Sequence, residues 1–359
     1  MSVLFVQRRT HRAGAQTCLL RLLREPRIRA LDPVLLASEE GWLTRECARE
    51  GVKCVVEPFP SSRSLSARLF RNRAFARRAA PRLAQVAAKV TLVHGNDHLE
   101  SLLTLEVGDA LGAHTALFLR SPTMTREDFE KYRCGEHPLV AAVGEDLQAR
   151  ARSWGARGVG LIHDGLEPGE FLAPKAPPPA FPRRILVIGS PVEWKGWDDA
   201  LAVFSLLEKE IPLEIAFTGK GEKRLESSKV EYLGRVEAFR DLVRSYDLVF
   251  NPTWHESFGM AALEVLAAGV PLFSTRSGVI AQVVHDERWL AKPREVSEMA
   301  SKLKALSTDW PSSALDVAAC QQRIRGRFMV AQSAAKLVAA YEALALGQHR
   351  PEGVANPRV

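Results

Sequence analysis

The sequence predicts an α/β protein of two domains, each a parallel sheet wrapped by helices. Three observations carry that expectation. Short β-branched and apolar runs alternate with longer stretches of helical periodicity along most of the chain, the pattern of βαβ units. Several runs are apolar without alternation, as strands covered by helices on both faces must be. Finally, 359 residues exceed what one ordinary core organises, and a proline-rich break near the middle separates two such series.

Taken in order, the strand candidates of the first series are Val3–Val6, Val34–Ala37, Lys53–Val56, Val90–Val93, Thr115–Leu119, Leu139–Val143 and Val159–Ile162. The chain passes directly from Met1 into the first of these. A secretory leader needs a longer apolar stretch and a small-residue cleavage site, so this segment reads as a strand. The run Ala173-Pro174-Lys175-Ala176-Pro177-Pro178-Pro179-Ala180-Phe181-Pro182 cannot lie inside a helix or a central strand, because proline lacks the N–H and fixes φ. It is expected to be a semi-rigid linker. The second series offers Ile185–Ile188, Leu213–Thr218, Val230–Leu233, Leu248–Phe250 and Val270–Ser274, and a long helical pattern then runs from about Ser312 to Leu346. The expected division is residues 1–172, a linker 173–183, a second domain 184–325, a helix 326–346 returning to the first domain, and a flexible tail 347–359.

Hydrophobic residues make up 46% and charged residues 25%, the balance of a soluble globular chain, and no apolar run approaches the roughly 18 residues that cross a bilayer. The five cysteines are scattered and form no CxxC pair. That argues against a disulfide framework or a zinc site and for a reducing, cytoplasmic setting. A formal charge of +7 favours an anionic partner, whether nucleotide phosphate, nucleic acid or membrane surface, without choosing among them.

The most informative segment is Asn251-Pro252-Thr253-Trp254-His255-Glu256-Ser257-Phe258-Gly259-Met260-Ala261-Ala262-Leu263-Glu264, continuing to Gly269-Val270-Pro271. A strand ends near Phe250, a loop follows, and a helix starts near Gly259 and stops at Gly269, with Pro271 preventing continuation. From Phe258 to Ser274 the one charged residue is Glu264. A carboxylate on a buried helix needs hydrogen-bond donors, and a ribose diol supplies two. The helix start offers free N–H groups and a positive dipole end to a diphosphate. A glutamate satisfied inside its own core is the competing reading. Upstream, Ile185–Ile188 leads through Gly189-Ser190 to Lys195-Gly196 at a helix opening, a plausible phosphate cradle with Lys195 as its cation.

Here the sequence resembles the retaining glycosyltransferase family 4, whose signature is Glu-Ser-Phe-Gly followed by a helix carrying a second Glu. The resemblance implies the GT-B fold, two Rossmann-like domains with parallel sheets facing a central cleft. It also implies a metal-independent, cofactor-free, hexosyltransferase-type reaction on a nucleotide diphosphate sugar. By resemblance Glu264 binds the nucleotide ribose. Glu256 sits beside the donor sugar with Ser257, Phe258, Gly259 and Met260, and Lys195 and Gly196 match the family's Lys-Gly. Glu256, Lys195 and His94 are the expected catalytic residues. Ser190 stands where the family has arginine, which removes one expected phosphate ligand; Lys220 or Arg276 could replace it. Gln282 stands where glutamate is frequent. Ile215–Gly221 matches the family's strand-Gly-x-Gly element, which brings Gly219 to the donor. The third glycine of a dinucleotide fingerprint is missing there.

The first series carries a weaker signal. Arg8-Arg9-Thr10-His11-Arg12-Ala13-Gly14-Ala15 follows strand one, and Gly14 at a strand-to-helix turn lets a bound donor approach the backbone, although a tight turn alone explains it equally well. His94-Gly95-Asn96-Asp97-His98 lies at a strand's carboxyl end, where open α/β sheets place ligands, and Arg120 follows the next strand. Asp97 and Arg120 are assigned to the acceptor.

Arg63, Arg68, Arg71, Arg73, Arg77, Arg78 and Arg82 cluster without one acidic residue, interleaved with Leu65, Leu69, Phe70 and Phe75. This Arg63–Arg82 stretch reads either as a solvated helix or as a patch on anionic lipid at the inner face of the membrane. No helix-turn-helix, RRM or zinc module accompanies it, so nucleic acid is not an expected partner. The expected function is transfer of a sugar to a glycan or lipid-linked acceptor in cell-surface polysaccharide or lipopolysaccharide biosynthesis. The alternative is a catalytically weak nucleotide-sugar-binding or membrane-recruiting protein on the same scaffold.

Overall fold

The structure, a computed structural model, describes residues 2–61, 64–66, 70–87, 89–219 and 227–347. It divides into two compact units. The first runs Met1–Gly165 and takes the chain back from Val330; the second is Leu166–Met329. Arg63, Arg68 and Leu69 of the basic stretch, and Lys220, lie outside the described residues.

The first unit holds a seven-stranded sheet with β1 (Ser2–Gln7), β2 (Val34–Ala37), β3 (Lys53–Val56), β4 (Val90–Gly95), β5 (His114–Leu119), β6 (Leu139–Ala142) and β7 (Val159–Leu161). All pairings are parallel and the order is β3-β2-β1-β4-β5-β6-β7. β1, β2 and β6 are buried along their whole length, which is why they read as continuous apolar runs. One core layer packs Leu4, Val6, Leu36 and Val93 against Phe75, Ala79 and Leu83 of the Asn72–Val86 helix; another packs Leu117, Leu119 and Val140 under Phe129 and Leu147. The order doubles back between β1 and β4. That reversal leaves a crevice outside the carboxyl ends of those strands.

The second unit holds a six-stranded parallel sheet, β8 (Arg184–Val187), β9 (Glu214–Phe217), β10 (Val230–Tyr232), β11 (Leu248–Asn251), β12 (Leu272–Thr275) and β13 (Leu290–Ala291), in the order β10-β9-β8-β11-β12-β13. Its reversal lies between β8 and β11. The edge strand β13 was not expected from the sequence; two residues are too short to show a period.

The division of the chain differs from the sequence expectation in two places. The proline-rich run is not a free linker. Leu172 N–H donates to Ala267 O at 2.8 Å and Lys175 N–H to Gly269 O at 2.7 Å, Trp310 Nε1 donates to Pro178 O at 2.8 Å, and Phe181 meets the Trp310 ring edge-on. Proline's rigidity makes it a strap fastened along the second unit, and the chain crosses between units at Gly165–Leu166 and Met329–Val330. The long C-terminal helical pattern is likewise two helices. Val317–Arg327 stays in the second unit, where Gln321 Nε2 donates to Leu172 O and Leu266 O, each at 2.9 Å, whereas Val330–Ala345 packs in the first unit on the helices Gly14–Arg24 and Pro26–Arg29.

Candidate functional site

In the second unit, the loops leaving β8, β9, β11 and β12 are tied together at the carboxyl edge of the sheet. Gly189 N–H donates to Thr218 Oγ1 at 3.0 Å, joining the turns after β8 and β9. Trp254 N–H donates to Trp194 O at 2.8 Å, joining the turns after β8 and β11. Val279 N–H donates to Phe258 O at 2.9 Å, joining those after β11 and β12. Two glycines make these approaches feasible. A Cβ on Gly196 would stand 2.2 Å from Pro252 O, and one on Gly278 would stand 2.2 Å from Phe258 O and 3.1 Å from Glu256 Cβ. Both have positive φ, +66° and +64°.

These turns bring Lys195 Nζ into an ion pair with Glu256 Oε1, both partly exposed. Glu256 in turn lies against Gly259, about where the Met260–Ala267 helix begins. That helix has no side-chain cap at its N-terminus, so its dipole end faces the turns rather than a capping oxygen. Ala262, Leu263, Val265, Leu266 and Ala267 are buried, while Met260, Ala261 and Glu264 keep partial access. Helical spacing places those three on one stripe, so Glu264 lies on the open side of a helix otherwise given to the core. Ser257 Oγ, Ser277 Oγ and Gln282 Oε1 are buried nearby in sequence with no hydrogen-bond partner among the described residues.

Some donor-side residues take other places than expected. The Phe258 ring is buried, edge-on to Phe328 at 5.4 Å; it anchors the turn, and its carbonyl rather than its ring faces Gly278. Ser190 is exposed, Gly219 is half-buried against Gly189 O and Ser190, and Arg276 is ion-paired with Glu287. Ser277 and Gly278 lie in the Arg276–Val279 loop that the family resemblance matched, but they were not assigned to the site from the sequence.

In the first unit, Gly14 starts an eleven-residue helix with no side-chain cap and open space before its α-carbon. His94 is a core residue, contrary to its expected catalytic place. Its ring is fully buried, stacks on Phe5 at 5.6 Å, lies 4.5 Å from Phe118, and hydrogen-bonds through Nδ1 to the Tyr341 hydroxyl. Burial, then the Arg120 charge and His137, hold its pKa well below the usual imidazole range. Asp97 is engaged as well. Oδ1 accepts from His98 N at 2.7 Å and pairs with His98 Nδ1 at 2.9 Å; these contacts hold the carboxyl below its ordinary range against the opposing effect of burial. Arg120 forms a buried ion pair with Asp164, donates from Nε to Asn96 O at 3.1 Å and lies over the Phe118 ring. An arginine so neutralised brings no net charge to the acceptor place the sequence assigned it.

Arg8, of the basic run after strand one, meets a residue unforeseen in the sequence, Glu100. Arg8 N–H donates to Glu100 Oε1 at 3.0 Å, and Glu100 is 3% exposed. Burial first, then the neighbouring Asp97, push the Glu100 carboxyl up to about 7. Of the basic stretch, Arg71, Arg73, Arg77, Arg78 and Arg82 are exposed on a helix whose other face, Phe75, Ala76, Ala79 and Leu83, is core. Among the described residues no helix is long and apolar enough to cross a membrane, and no three His, Cys, Asp or Glu side chains gather as a metal site.

Parts of the chain resemble known proteins. Residues 182–309 match the family described as Glycosyl transferases group 1. Glycogen synthase of Mycobacterium tuberculosis is 24% identical over 208 residues, 54% of this chain and 50% of that protein, so the chain spans about half of that relative. The lipopolysaccharide core biosynthesis mannosyltransferase LpsB of Rhizobium meliloti is 26% identical over 141 residues, 38% of each. The Anabaena protein HepE, solved in complex with UDP and glucose, superposes with a TM-score of 0.78 at 15% identity, covering 96% of this chain and 100% of its own. At that identity the likeness establishes the fold. The chain has the GT-B type of fold, two Rossmann-like domains with parallel sheets.

Proposed function

We propose that this protein is a glycosyltransferase that moves a sugar from a nucleotide diphosphate sugar to a glycan or lipid-linked acceptor, with retention of configuration. The observation that carries the proposal is the place of Glu264, on the open stripe of a helix whose uncapped start adjoins the Lys195–Glu256 pair. A carboxylate there accepts from the two hydroxyls of a ribose, and the helix start with Lys195 offers positive charge to the diphosphate. Charge develops on that diphosphate as the glycosidic bond breaks, so the same groups stabilise the leaving group. Glu256 neutralises Lys195. Donor binding therefore shares or parts this pair, freeing the carboxylate for sugar hydroxyls. No step requires a metal. The glycan-building activities named for the glycogen synthase and mannosyltransferase relatives support a place in polysaccharide or lipopolysaccharide synthesis.

Thermal unfolding of the full chain with UDP, GDP, ADP and their sugar conjugates tests the donor reading. One nucleotide class should raise the melting temperature by several degrees at saturating concentration. Glu264→Ala should weaken that nucleotide by about 10- to 100-fold, the loss of charge-assisted hydrogen bonds worth roughly 1.5–3 kcal/mol. Absence of any nucleotide response in the wild type, or an unaltered response in the variant, would sink the proposal.

A further inference from the structure

The cysteines are scattered in the sequence, but the fold brings two of them together. Cys47 lies in the last turn of the Trp42–Arg49 helix and Cys54 in β3, with one tight turn between them. Val52 N–H donates to Cys47 O at 2.8 Å and Gly51 N–H to Ala48 O at 3.0 Å, with Gly51 at a φ of +68°. This paired bonding around a left-handed glycine ends the helix in one fixed geometry and turns the chain directly into β3. Side chains alternate between the two faces of a strand. Val55 joins the core layer of Phe75 and Leu83, so Cys54 faces the other way, toward the helix. Its Sγ lies 3.9 Å from Thr44 O, about one helical turn before Cys47. The two thiols interact directly.

Their surroundings differ. Cys47 is fully buried, whereas Cys54 is partly exposed. A hydrogen bond from the Cys47 thiol lowers the Cys54 pKa, against the opposing effects of burial and the Glu40 carboxylate. The same contact, then burial, raises the pKa of Cys47. The accessible sulfur is therefore the one that ionises more readily, which separates an attacking thiol from the thiol that resolves it. Cys18, Cys134 and Cys320 are buried, and burial pushes the thiol up to about 12 at Cys134 and about 11 at Cys320.

We propose that Cys47 and Cys54 are a thiol–disulfide exchange site for a low-molecular-weight disulfide, closing reversibly into an intrachain bond. The Cys54 thiolate attacks one sulfur of the small disulfide and the S–S bond breaks. One small thiolate leaves and takes up the proton that Cys54 gave to solvent. The Cys47 sulfur then attacks the Cys54 sulfur of the mixed disulfide, and the second small thiol leaves with the Cys47 proton. Two protein thiols are oxidised to one disulfide, and the small disulfide is reduced to two thiols. The new bond ties the end of the Trp42–Arg49 helix to β3. The start of that helix is already held to the turn after β1, where Leu43 N–H donates to Thr10 O at 2.9 Å, so oxidation clamps the helix at both ends. The site needs neither nucleotide nor acceptor and stands apart from the sugar-transfer reading.

Peptide mapping of the full chain tests it. Reduced protein is treated with oxidised glutathione, alkylated with iodoacetamide and digested with trypsin, which separates the two cysteines by cleaving after Arg49 and Lys53. The expected product is the peptide Glu46–Arg49 linked to the peptide that begins at Cys54, and dithiothreitol should release it. Cys47→Ser should stop with glutathione on Cys54, and Cys54→Ser should leave Cys47 unmodified. In brief exposure of the reduced protein to iodoacetamide, Cys54 should react at least about tenfold faster than Cys18, Cys134 or Cys320. Glutathione that remains on Cys54 in the wild type, the absence of the linked peptide, or equal alkylation of all the thiols overturns the proposal. Glutathione on Cys47 in Cys54→Ser overturns the assignment of the attacking sulfur. Should Cys47→Ser fail to fold, Cys47→Ala takes its place, and the wild-type cross-link decides in either case.

Discussion

Glu100 and Glu264 are both glutamates in largely apolar surroundings, yet their positions give them opposite properties. Glu264 keeps partial access on an open helical stripe, whereas Glu100 is shut in beneath the turn after β4 beside another carboxylate. Burial and Asp97 raise the Glu100 pKa from 4.5 to about 7. The folded chain therefore holds this proton more tightly than the unfolded chain, and stability falls as pH rises through that window. Glu100→Gln removes the titration while keeping the size and an oxygen for the Arg8 N–H. Relative to wild type, the variant should gain on the order of 2–3 kcal/mol between pH 5 and pH 8. Urea unfolding at the two pH values measures the gap, and a gap that does not change with pH would contradict the assignment of the proton. His94 shows the same dependence on surroundings. Its strand-end position looked catalytic in the sequence, but Tyr341, 247 residues along, covers it.

Among the elements, the turn after β12 has little freedom. Gly278 combines a φ of +64° with a would-be Cβ 2.2 Å from Phe258 O, and that carbonyl already accepts Val279 N–H. Backbone blocks the space, so no rotamer relieves it. Gly278→Ala should destabilise the second unit by about 2–3 kcal/mol and abolish the nucleotide-induced melting shift, since the turn holds Glu256 and Gly259 in register. Gly169→Ala, with no atom within 4 Å of its added Cβ, is the control. A Gly278→Ala protein with a wild-type melting curve and nucleotide response would refute the constraint. What the sequence revealed of these elements follows the same physics. Strands buried on both faces, such as β1 and β6, announce themselves as apolar runs, and the Glu256-to-Glu264 spacing with Lys195 upstream marked the turns that come together. The Arg8–Glu100 contact was not legible, because 92 residues separate its partners and neither carries a local motif. The proline-rich run was recognisable as non-helical, but composition does not say what a segment packs against, and it packs on the second unit.

For the whole molecule, the two units differ in how they store histidine. The first buries two imidazoles in neutral form, His94 and His137, 0% and 2% exposed, while in the second His255 is half-buried and His285 exposed. Burial, then Arg133, lowers His137 to about 3, and burial holds His94 well below 6.5. The unfolded chain takes up protons at these positions below about 6.5 and the folded chain does not, so their contribution to stability is lost as pH falls through that value. Between pH 7.5 and pH 5 His137 costs the first unit about 2 kcal/mol and His94 acts in the same direction, whereas protonation of Glu100 returns about 2 kcal/mol and His98, whose pKa the Asp97 contacts raise against the effect of burial, also returns stability. Acid should therefore loosen the first unit before the second, and do so more in Glu100→Gln, where the roughly 2 kcal/mol from Glu100 is not returned. Amide hydrogen exchange followed by mass spectrometry, corrected for the intrinsic pH dependence, reads this unit by unit. Peptides of β1, β4 and β5 should lose protection at pH 5 while those of β8 and β11 retain it, and the difference should widen in the variant. Equal loss in both units, or earlier loss in the second, would mean that the buried imidazoles do not govern how this chain opens in acid.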